Sequence, residues 1–275
     1  AQRDGLFRPS APGYLLDLFQ PQQHAPALAQ RIEGQGNLEA DWAGSSWLSA
    51  LPSTQAHTLL DGTRRLLVVS PHPDDEVLAC GALIAMHARQ GGEVRVVAVT
   101  DGEASHAEVS ALRPGELAVR RRAERLQGLA RLGVGTPRVH ALALPDGRVQ
   151  AHAGALLRGL LDALCPGDVV VSTCAFDGHP DHDATGDATR QACLQRGCRW
   201  LAAPVWMWHW AATGDARVPW HRLQRLTLSD DARLRKQAAL AAHVSQLTPR
   251  SPVVGPVLGA HALERAAWRH EYYFV

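Results

Sequence analysis

The sequence has no long uninterrupted hydrophobic run and no strong excess of charge of either sign. A helix that crosses a bilayer needs about 20 mainly apolar residues, and no uninterrupted apolar stretch approaches that length, so we expect no transmembrane segment. The formal net charge of +1 at pH 7 gives no general electrostatic reason to bind nucleic acid or an anionic membrane. The 275 residues are enough for one large domain with a sizeable core.

Cysteine and lysine are also scarce. The five cysteines are an odd number spread among apolar stretches, and we expect no secretory signal at the N-terminus. This pattern predicts reduced thiols and a cytoplasmic location. Cys193 and Cys198 have no second cysteine pair or histidine cluster nearby, so we do not expect a structural zinc there. Lys236 is the only lysine in a chain whose other basic residues are arginines.

Residues 1–60 differ in composition from the rest and are rich in Gln, Ala and Pro. We predict that they form an N-terminal extension of short helices packed on a main domain of residues 61–275. A disordered tail is the alternative interpretation. Burial suits Phe19, Trp42, Trp47 and the leucines of the segment better than solvation does, which favours the packed extension.

From Arg64 onward, apolar runs typical of strands alternate with longer segments of helical spacing. We predict strands at Leu66–Ser70, Val94–Thr100, Val139–Ala143, Val169–Thr173 and Trp200–Trp206, and helices at about Val77–Arg89, Glu116–Leu132, Ala153–Leu164 and Asp183–Gln195. This alternation predicts an α/β fold with a mostly parallel sheet and helices on both faces. Ligands of such sheets bind at the carboxyl ends of the strands.

Two polar motifs follow predicted strands directly. His72-Pro73-Asp74-Asp75-Glu76 comes after the first strand, and His179-Pro180-Asp181-His182 comes after the fourth through a short loop. His72, Asp75 and one of His179 or His182 would give three protein ligands and leave a position for water, as in catalytic zinc sites. A single His-Pro-Asp turn is also typical of a helix cap, but two such turns at the same sheet edge favour a metal centre.

With these two motifs, the chain resembles the PIG-L / LmbE-like family of zinc-dependent N-deacetylases over roughly residues 64–246. The resemblance implies a Rossmann-like fold and removal of acetyl groups from N-acetylglucosamine-containing substrates. It implies that His72, Asp75 and His182 hold Zn²⁺, with Fe²⁺ as an alternative metal. It further implies that Asp74 is the general base for a metal-bound water, that His179 stabilises the oxyanion or protonates the amine, and that Asp181 orients an imidazole.

Weaker signals concern substrate binding. Arg121 resembles the arginine of the family's Arg-x-x-Glu helix, which can reach substrate hydroxyls, although residues 120–122 could equally form a solvated face. Asp101 at the end of the second strand is a candidate contact to a sugar hydroxyl. Lys236 falls in a late motif that resembles a family segment, where a role in holding the active-site loops is expected.

Trp206, Trp208 and Trp210 alternate along the chain, and an extended segment would place the three indoles on one face. That face would either stack against a sugar or pack against the N-terminal extension.

The sequence therefore predicts a hydrolase that removes the N-acetyl group of a small N-acetylated amino sugar or glycoconjugate. Two other functions stay open: an amidase acting on a sugar-thiol conjugate or another carboxamide, and a metal-dependent carbohydrate-binding protein without turnover. A nucleic acid partner is not expected, and a homo-oligomer is left open.

Overall fold

The computed structural model describes Ile32, residues 36–106 and residues 113–275. The strands are β1 (Ser53–Thr54), β2 (Arg65–Ser70), β3 (Glu93–Ala98), β4 (Arg138–Ala141), β5 (Val169–Thr173), β6 (Arg199–Ala203), β7 (Leu223–Thr227) and β8 (His270–Phe274). The longer helices are α4 (Asp75–Arg89), α5 (Pro114–Arg131), α6 (Ala153–Ala163), α7 (Pro180–Arg196) and α9 (Asp230–Leu240). The shorter helices are α1 (Glu39–Ala43), α2 (Ser46–Ser49), α3 (Ala56–Leu60), α8 (Met207–Trp210), α10 (Val244–Leu247) and α11 (Ala260–Ala266).

All eight strands belong to one sheet with the order β1-β7-β8-β6-β5-β2-β3-β4. Neighbouring strands are parallel except at β8, which runs antiparallel to both β6 and β7. Helices cover both faces of the sheet. Alternate residues of the central strands therefore enter two separate cores. Leu67 and Val69 of β2 join the core with α6 and α7, whereas Leu66 and Val68 join the core with α4 and α9. The predicted α/β fold with a mostly parallel sheet is confirmed.

The chain reverses its direction of travel across the sheet next to β2. It passes from β2 to β3 and β4 on one side, and then crosses over to β5 on the other side of β2. The carboxyl ends of β2 and β5 therefore border a topological switch point, which is where open α/β sheets bind their ligands. Both polar motifs identified in the sequence begin at these two strand ends.

The described part of the N-terminal segment packs on the main sheet. Trp42 is buried, its indole Nε1–H donates to the carbonyl of Trp208 at 2.9 Å, and β1 pairs with β7. Phe19 lies outside the described residues. The domain boundary at residue 60 stays a prediction. Among the described helices, none is long and apolar enough to span a membrane.

The segment from Trp206 to Trp210 is not extended, so the prediction of three indoles on one face is wrong. β6 ends at Ala203, and Met207–Trp210 forms the short helix α8. Trp208 is buried in the core and lies 5.0 Å from Trp42 between ring centroids. Alternation along the sequence implies a common face only in a strand, and the chain turns here before a strand can continue.

Helix α7 approaches the end of β5 through Gly186. A Cβ atom at this position would lie 2.5 Å from the backbone nitrogen of Ala175 and 2.7 Å from the carbonyl oxygen of Thr173. These are backbone atoms that no rotamer change can move aside. The close approach therefore needs glycine, and it fixes the helix that carries His182 against the strand.

We expect Gly186→Ala to lower the free energy of unfolding by about 1–3 kcal/mol, the range typical of overpacked interiors. Gly115→Ala, also in a helix but with open space around its Cβ position, should leave stability unchanged or raise it slightly. Urea denaturation of both variants measures the difference. Equal stability of the two variants would contradict the backbone contact.

Candidate active site

Three side chains from the two motifs converge at the switch point. His72 Nδ1 lies 3.2 Å from Asp75 Oδ2 and 3.2 Å from His182 Nε2, and His182 Nε2 lies 3.2 Å from Asp75 Oδ2. We call these three residues the His–Asp–His triangle. Asp75 is also held by the backbone N–H of His72, which donates to Oδ2 at 2.9 Å.

The triangle has the dimensions of a metal site. Tetrahedral Zn²⁺ with bonds of about 2.0–2.1 Å separates its ligand atoms by about 3.3 Å, close to the 3.2 Å sides observed. Two imidazole nitrogens that face each other also need a cation or a proton between them. The residues present therefore fit a divalent cation.

The charge around the triangle favours a bound cation. Burial lowers the pKa of His72, but hydrogen bonds to Asp146, Asp181 and Asp75 outweigh it and hold that pKa well above the usual value. Burial raises the pKa of Asp75, but His182 and His72 outweigh it and keep that pKa well below the usual range. The carboxylate is consequently ionised, as a metal ligand must be.

Two aspartates orient the ring of His72 from behind. Nε2 of His72 lies 3.2 Å from Asp181 Oδ2 and 3.1 Å from Asp146 Oδ1. Asp181 is itself fixed by the backbone N–H groups of Gly147 and Val149, at 2.7 and 3.1 Å. A hydrogen on Nε2 thus points to the carboxylates, and the lone pair of Nδ1 points into the triangle. Asp146, in the loop after β4, is a site residue that was not among those predicted from the sequence.

Asp177 performs the same task for His182 and was also missed as a site residue. Its Oδ2 accepts from His182 Nδ1 at 2.8 Å and from the backbone N–H of Trp206 at 2.9 Å, and its Oδ1 accepts from Val205 and Met207. Its carboxylate therefore ends β6 in a turn and links His182 to the segment that carries Trp206. The available signal was an aspartate two residues before a histidine motif.

Asp74 lies beside the triangle with an unusual backbone conformation. Its φ is 137° and its ψ is −27°, a region that non-glycine residues rarely adopt and that is often found at functional sites. The residue is buried, and burial raises the pKa of its carboxyl to about 7 against the opposing effect of Arg121. The carboxylate lines the adjacent cavity.

Arg121 is buried at the same cavity, whereas its neighbours Arg120 and Arg122 have partly exposed side chains. Its guanidinium donates to the carbonyls of Gly102 and Pro73 at 2.9 and 2.8 Å, and to Asp74 Oδ2 at 3.3 Å. Arg121 thus joins the loops that follow β2 and β3, and the solvated-face interpretation is wrong for this residue.

Asp101 does not line the cavity, and its carboxylate accepts instead from Arg122 at 2.7 Å. The structure therefore does not support the predicted contact between Asp101 and a sugar hydroxyl. Helix α5 brings Arg122 close to the loop that follows β3, where its guanidinium forms an ion pair with Asp101.

His179 begins helix α7 and lies against His72 with ring centroids 4.9 Å apart. Its Nδ1 accepts from the backbone N–H of Asp181 at 3.2 Å. Burial, together with the positive charge of His182 and His72, lowers the pKa of His179 to about 3. The ring is therefore neutral, and because Nδ1 accepts a hydrogen bond, its hydrogen resides on Nε2.

A cavity of about 240 Å³ adjoins the triangle. Its polar lining residues include Ser105, Arg121, Asp146 and Gln246, and its apolar ones are Leu78, Ala104, Trp206, Val257 and Leu258. A lining of both kinds suits a sugar, which has hydroxyl groups as well as apolar C–H faces. Trp206 is the one indole of its segment that reaches this cavity.

The remaining sequence predictions fall away from the triangle. The five cysteines are free, and in the part of the chain that the structure describes none of them joins a cluster able to hold a metal. In the late motif that contains Lys236, the backbone N–H and the hydroxyl of Ser245 donate to Glu124 at 2.9 and 2.6 Å. Lys236 forms an ion pair with Glu271, a residue outside every predicted motif.

The fold and the side chains at its switch point define a Rossmann-like enzyme with a candidate metal centre. The chain belongs to the PIG-L family, described as GlcNAc-PI de-N-acetylase, whose pattern matches residues 67–193. It is 30% identical to 1D-myo-inositol 2-acetamido-2-deoxy-alpha-D-glucopyranoside deacetylase of Mycobacteroides abscessus, over 68% of this chain and 82% of that protein. The deacetylase of the same name from Tsukamurella paurometabola is 29% identical, over 67% and 84%.

Among solved structures, the fold is similar to that of the zinc-inhibited form of teicoplanin deacetylase. The TM-score is 0.58 at 21% identity, and the match covers 76% of this chain and 97% of the other. At that identity the likeness shows the fold alone, and it places the switch point in the same architecture.

We expect Asp177→Asn to weaken Zn²⁺ binding 10- to 100-fold, the range typical of partners of metal-binding histidines. If the amide nitrogen of asparagine replaced Oδ2, it would face the N–H donors of Trp206 and His182. Two donors cannot form a hydrogen bond with each other, so the orientation of His182 would be lost. Competition with a chromogenic chelator measures the affinity. Asp183→Asn is the matched control, because Asp183 is half-buried nearby but accepts from Gly178 rather than from a histidine of the triangle. Equal affinities in the two variants would remove Asp177 from this role.

Proposed function

We propose that the protein is a metal-dependent N-deacetylase that removes the acetyl group from an N-acetylglucosamine-type sugar conjugate. The observation that carries the proposal is the His–Asp–His triangle with the carboxylate of Asp74 beside it at a cavity. Family membership supports the reaction class, and the relatives named for a 2-acetamido-2-deoxy-glucopyranoside substrate support the sugar.

In this proposal His72, Asp75 and His182 hold the metal ion, which we take to be Zn²⁺ because imidazole nitrogens and one carboxylate oxygen suit it. The ion would supply Lewis acidity toward the acetyl carbonyl and would lower the pKa of a water. Fe²⁺ accepts the same donors, and reconstitution of the metal-free protein with each ion distinguishes them.

Four side chains near the metal site would have separate roles in proton transfer and hydrogen bonding. Asp74 would accept a proton at its carboxylate, which lies at the cavity wall and is held by Arg121. His179 is neutral with its hydrogen on Nε2, so it would donate a hydrogen bond to the carbonyl oxygen as negative charge develops. The departing nitrogen would receive the proton that Asp74 had accepted. Asp181 and Asp146 would keep His72 in the tautomer that directs Nδ1 to the metal.

Substrate binding would use both the polar and the apolar residues that line the cavity. Its volume of about 240 Å³ suits one sugar ring with an acetamido group rather than a long oligosaccharide. Gln246, Ser105 and Arg121 offer hydrogen bonds, and Trp206 offers a flat apolar surface. The conjugated group beyond the sugar would extend toward solvent.

We expect the Zn²⁺-loaded protein to release acetate and a free amine from at least one N-acetylglucosaminyl compound. A suitable panel contains N-acetylglucosaminyl-inositol, N,N'-diacetylchitobiose, an N-acetylglucosaminyl thiol conjugate and free N-acetylglucosamine. Acetate and primary amine are quantified separately, with the chelator-treated protein as control. Release of an amine without acetate, from a thiol conjugate that carries a second amide bond, would favour the amidase. Stoichiometric zinc binding with no product from any member would refute the deacetylase.

Two substitutions separate catalysis from metal binding. We expect Asp74→Asn to retain Zn²⁺ and to lose 10²- to 10⁴-fold in kcat, the usual contribution of a general base. Asparagine is isosteric and tolerates a positive φ, so the fold should persist. His182→Ala should lose the metal itself. Metal content by atomic emission and turnover on the best substrate of the panel test both variants.

Unchanged turnover in Asp74→Asn would exclude Asp74 as the base, and full occupancy by zinc in His182→Ala would exclude the ligand set. Sugar binding by the wild-type protein without turnover would identify a carbohydrate-binding protein.

A further inference from the structure

A buried ion pair outside the His–Asp–His triangle joins α9 to β8. Lys236 Nζ on α9 lies 2.8 Å from Glu271 Oε1 on β8, and the two side chains are 5% and 2% exposed. Burying two charges costs several kcal/mol for each ion unless their remaining hydrogen-bonding groups find partners. The partners of this pair are backbone atoms of α4, the helix that begins with Asp75.

Helix α4 is broken in its middle at Cys80, where φ is −147° and ψ is 25°. In a regular helix the N–H of Ala82 donates to the carbonyl of Leu78, four residues earlier. Here Lys236 Nζ donates to the Leu78 carbonyl at 2.9 Å, and the Ala82 N–H donates to Glu271 Oε1 at 2.8 Å. The ion pair therefore connects the two ends of the helix break.

The charges match the polarity of this break. Carbonyls at the end of a helical segment carry partial negative charge, and amides at the start of the next carry partial positive charge. Lysine meets the carbonyl, whereas Glu271 meets the amides of Ala82 and Leu83, the latter at 3.0 Å. The hydroxyl of Tyr273 donates to the same carboxylate at 2.8 Å, so both oxygens of Glu271 have two partners.

The lysine stem lies directly on the helix at Gly81. A Cβ atom there would be 3.2 Å from Lys236 Cγ, so glycine lets the two elements approach closely. Neither Lys236 nor Glu271 lies within residues 67–193, the part matched by the family. The ion pair that bridges the break in α4 thus comes from α9 and β8.

We propose that Lys236 and Glu271 are positioning residues that set the place of the first segment of α4, residues 75–79. This segment begins with Asp75 of the His–Asp–His triangle, and the side chain of Leu78, whose carbonyl Lys236 holds, lines the cavity. The inference rests on the proposed function for its effect on metal binding. The ion pair connects this segment to α9 and β8, and its loss removes the contacts that hold the end of the segment farthest from Asp75.

The test measures backbone order and metal affinity separately. In Lys236→Met, which keeps most of the stem, amide hydrogen exchange of the metal-free protein should rise at least tenfold in peptides covering residues 72–82. Zn²⁺ affinity by chelator competition should fall about tenfold, with kcat reduced more than KM is raised. Lys236→Arg, which restores a charged donor, should recover part of both effects.

Arg65→Met is the matched control. Arg65 pairs with Asp168 at the opposite end of β2, and its other side-chain bond goes to the carbonyl of Ala163 rather than to α4. This variant should lose stability while its exchange at residues 72–82 and its Zn²⁺ affinity stay at wild-type values. A general loss of stability then cannot account for the effects of Lys236→Met.

Should Lys236→Met fail to fold, Glu271→Gln replaces it, because glutamine keeps the shape and one acceptor oxygen. Wild-type exchange at residues 72–82 together with wild-type Zn²⁺ affinity in a folded variant of either residue would overturn the proposal. Absence of deacetylation by the wild-type protein would overturn the proposed function instead. The exchange measurement needs neither metal nor substrate, so the two failures are distinguishable.

Discussion

Burial of charge is the constraint on which the rest of the structure depends. Two imidazoles and several aspartates lie almost out of contact with solvent at the switch point of the sheet, and each of them needs partners there. Asp177, Asp181 and Asp146 each accept hydrogen bonds from backbone amides as well as facing a histidine. The loops around the site are therefore folded onto the same carboxylates that orient the candidate metal ligands.

This arrangement connects chemistry to substrate shape. Asp177 orients His182 and at the same time turns the chain after β6 so that Trp206 faces the cavity. Arg121 holds Asp74 while it joins the loops after β2 and β3. The same side chains therefore hold the proposed base and the residues that line the proposed cavity. A shift of the cavity lining would also move the reacting groups. A backbone strained at Asp74 is maintained by these surrounding bonds.

Much of the fold was predictable because its central strands are continuous apolar runs, which only a sheet covered on both faces can bury. The segment from Trp206 to Trp210 was mispredicted because alternation was taken as a strand, whereas three backbone hydrogen bonds to a distant aspartate decide its turn and the ring of Trp208 fills the core. The ion pair of Asp101 was not predicted for a similar reason, since its partner Arg122 lies on another element. Composition and residue spacing do not predict such contacts between residues on different elements.

The sequence by itself determined the α/β class, the two motifs and their positions at strand ends, because hydrophobic periodicity and short-range spacing are local properties. It also indicated which residue types would be offered for metal binding and proton transfer. Only the tertiary structure decided that Arg121 is buried at the cavity, that Asp146 and Asp177 support the histidines, and that Lys236 meets Glu271 across a broken helix. These outcomes depend on contacts between residues far apart in the chain, where the need to pair each buried charge, rather than any local pattern, selects the partner.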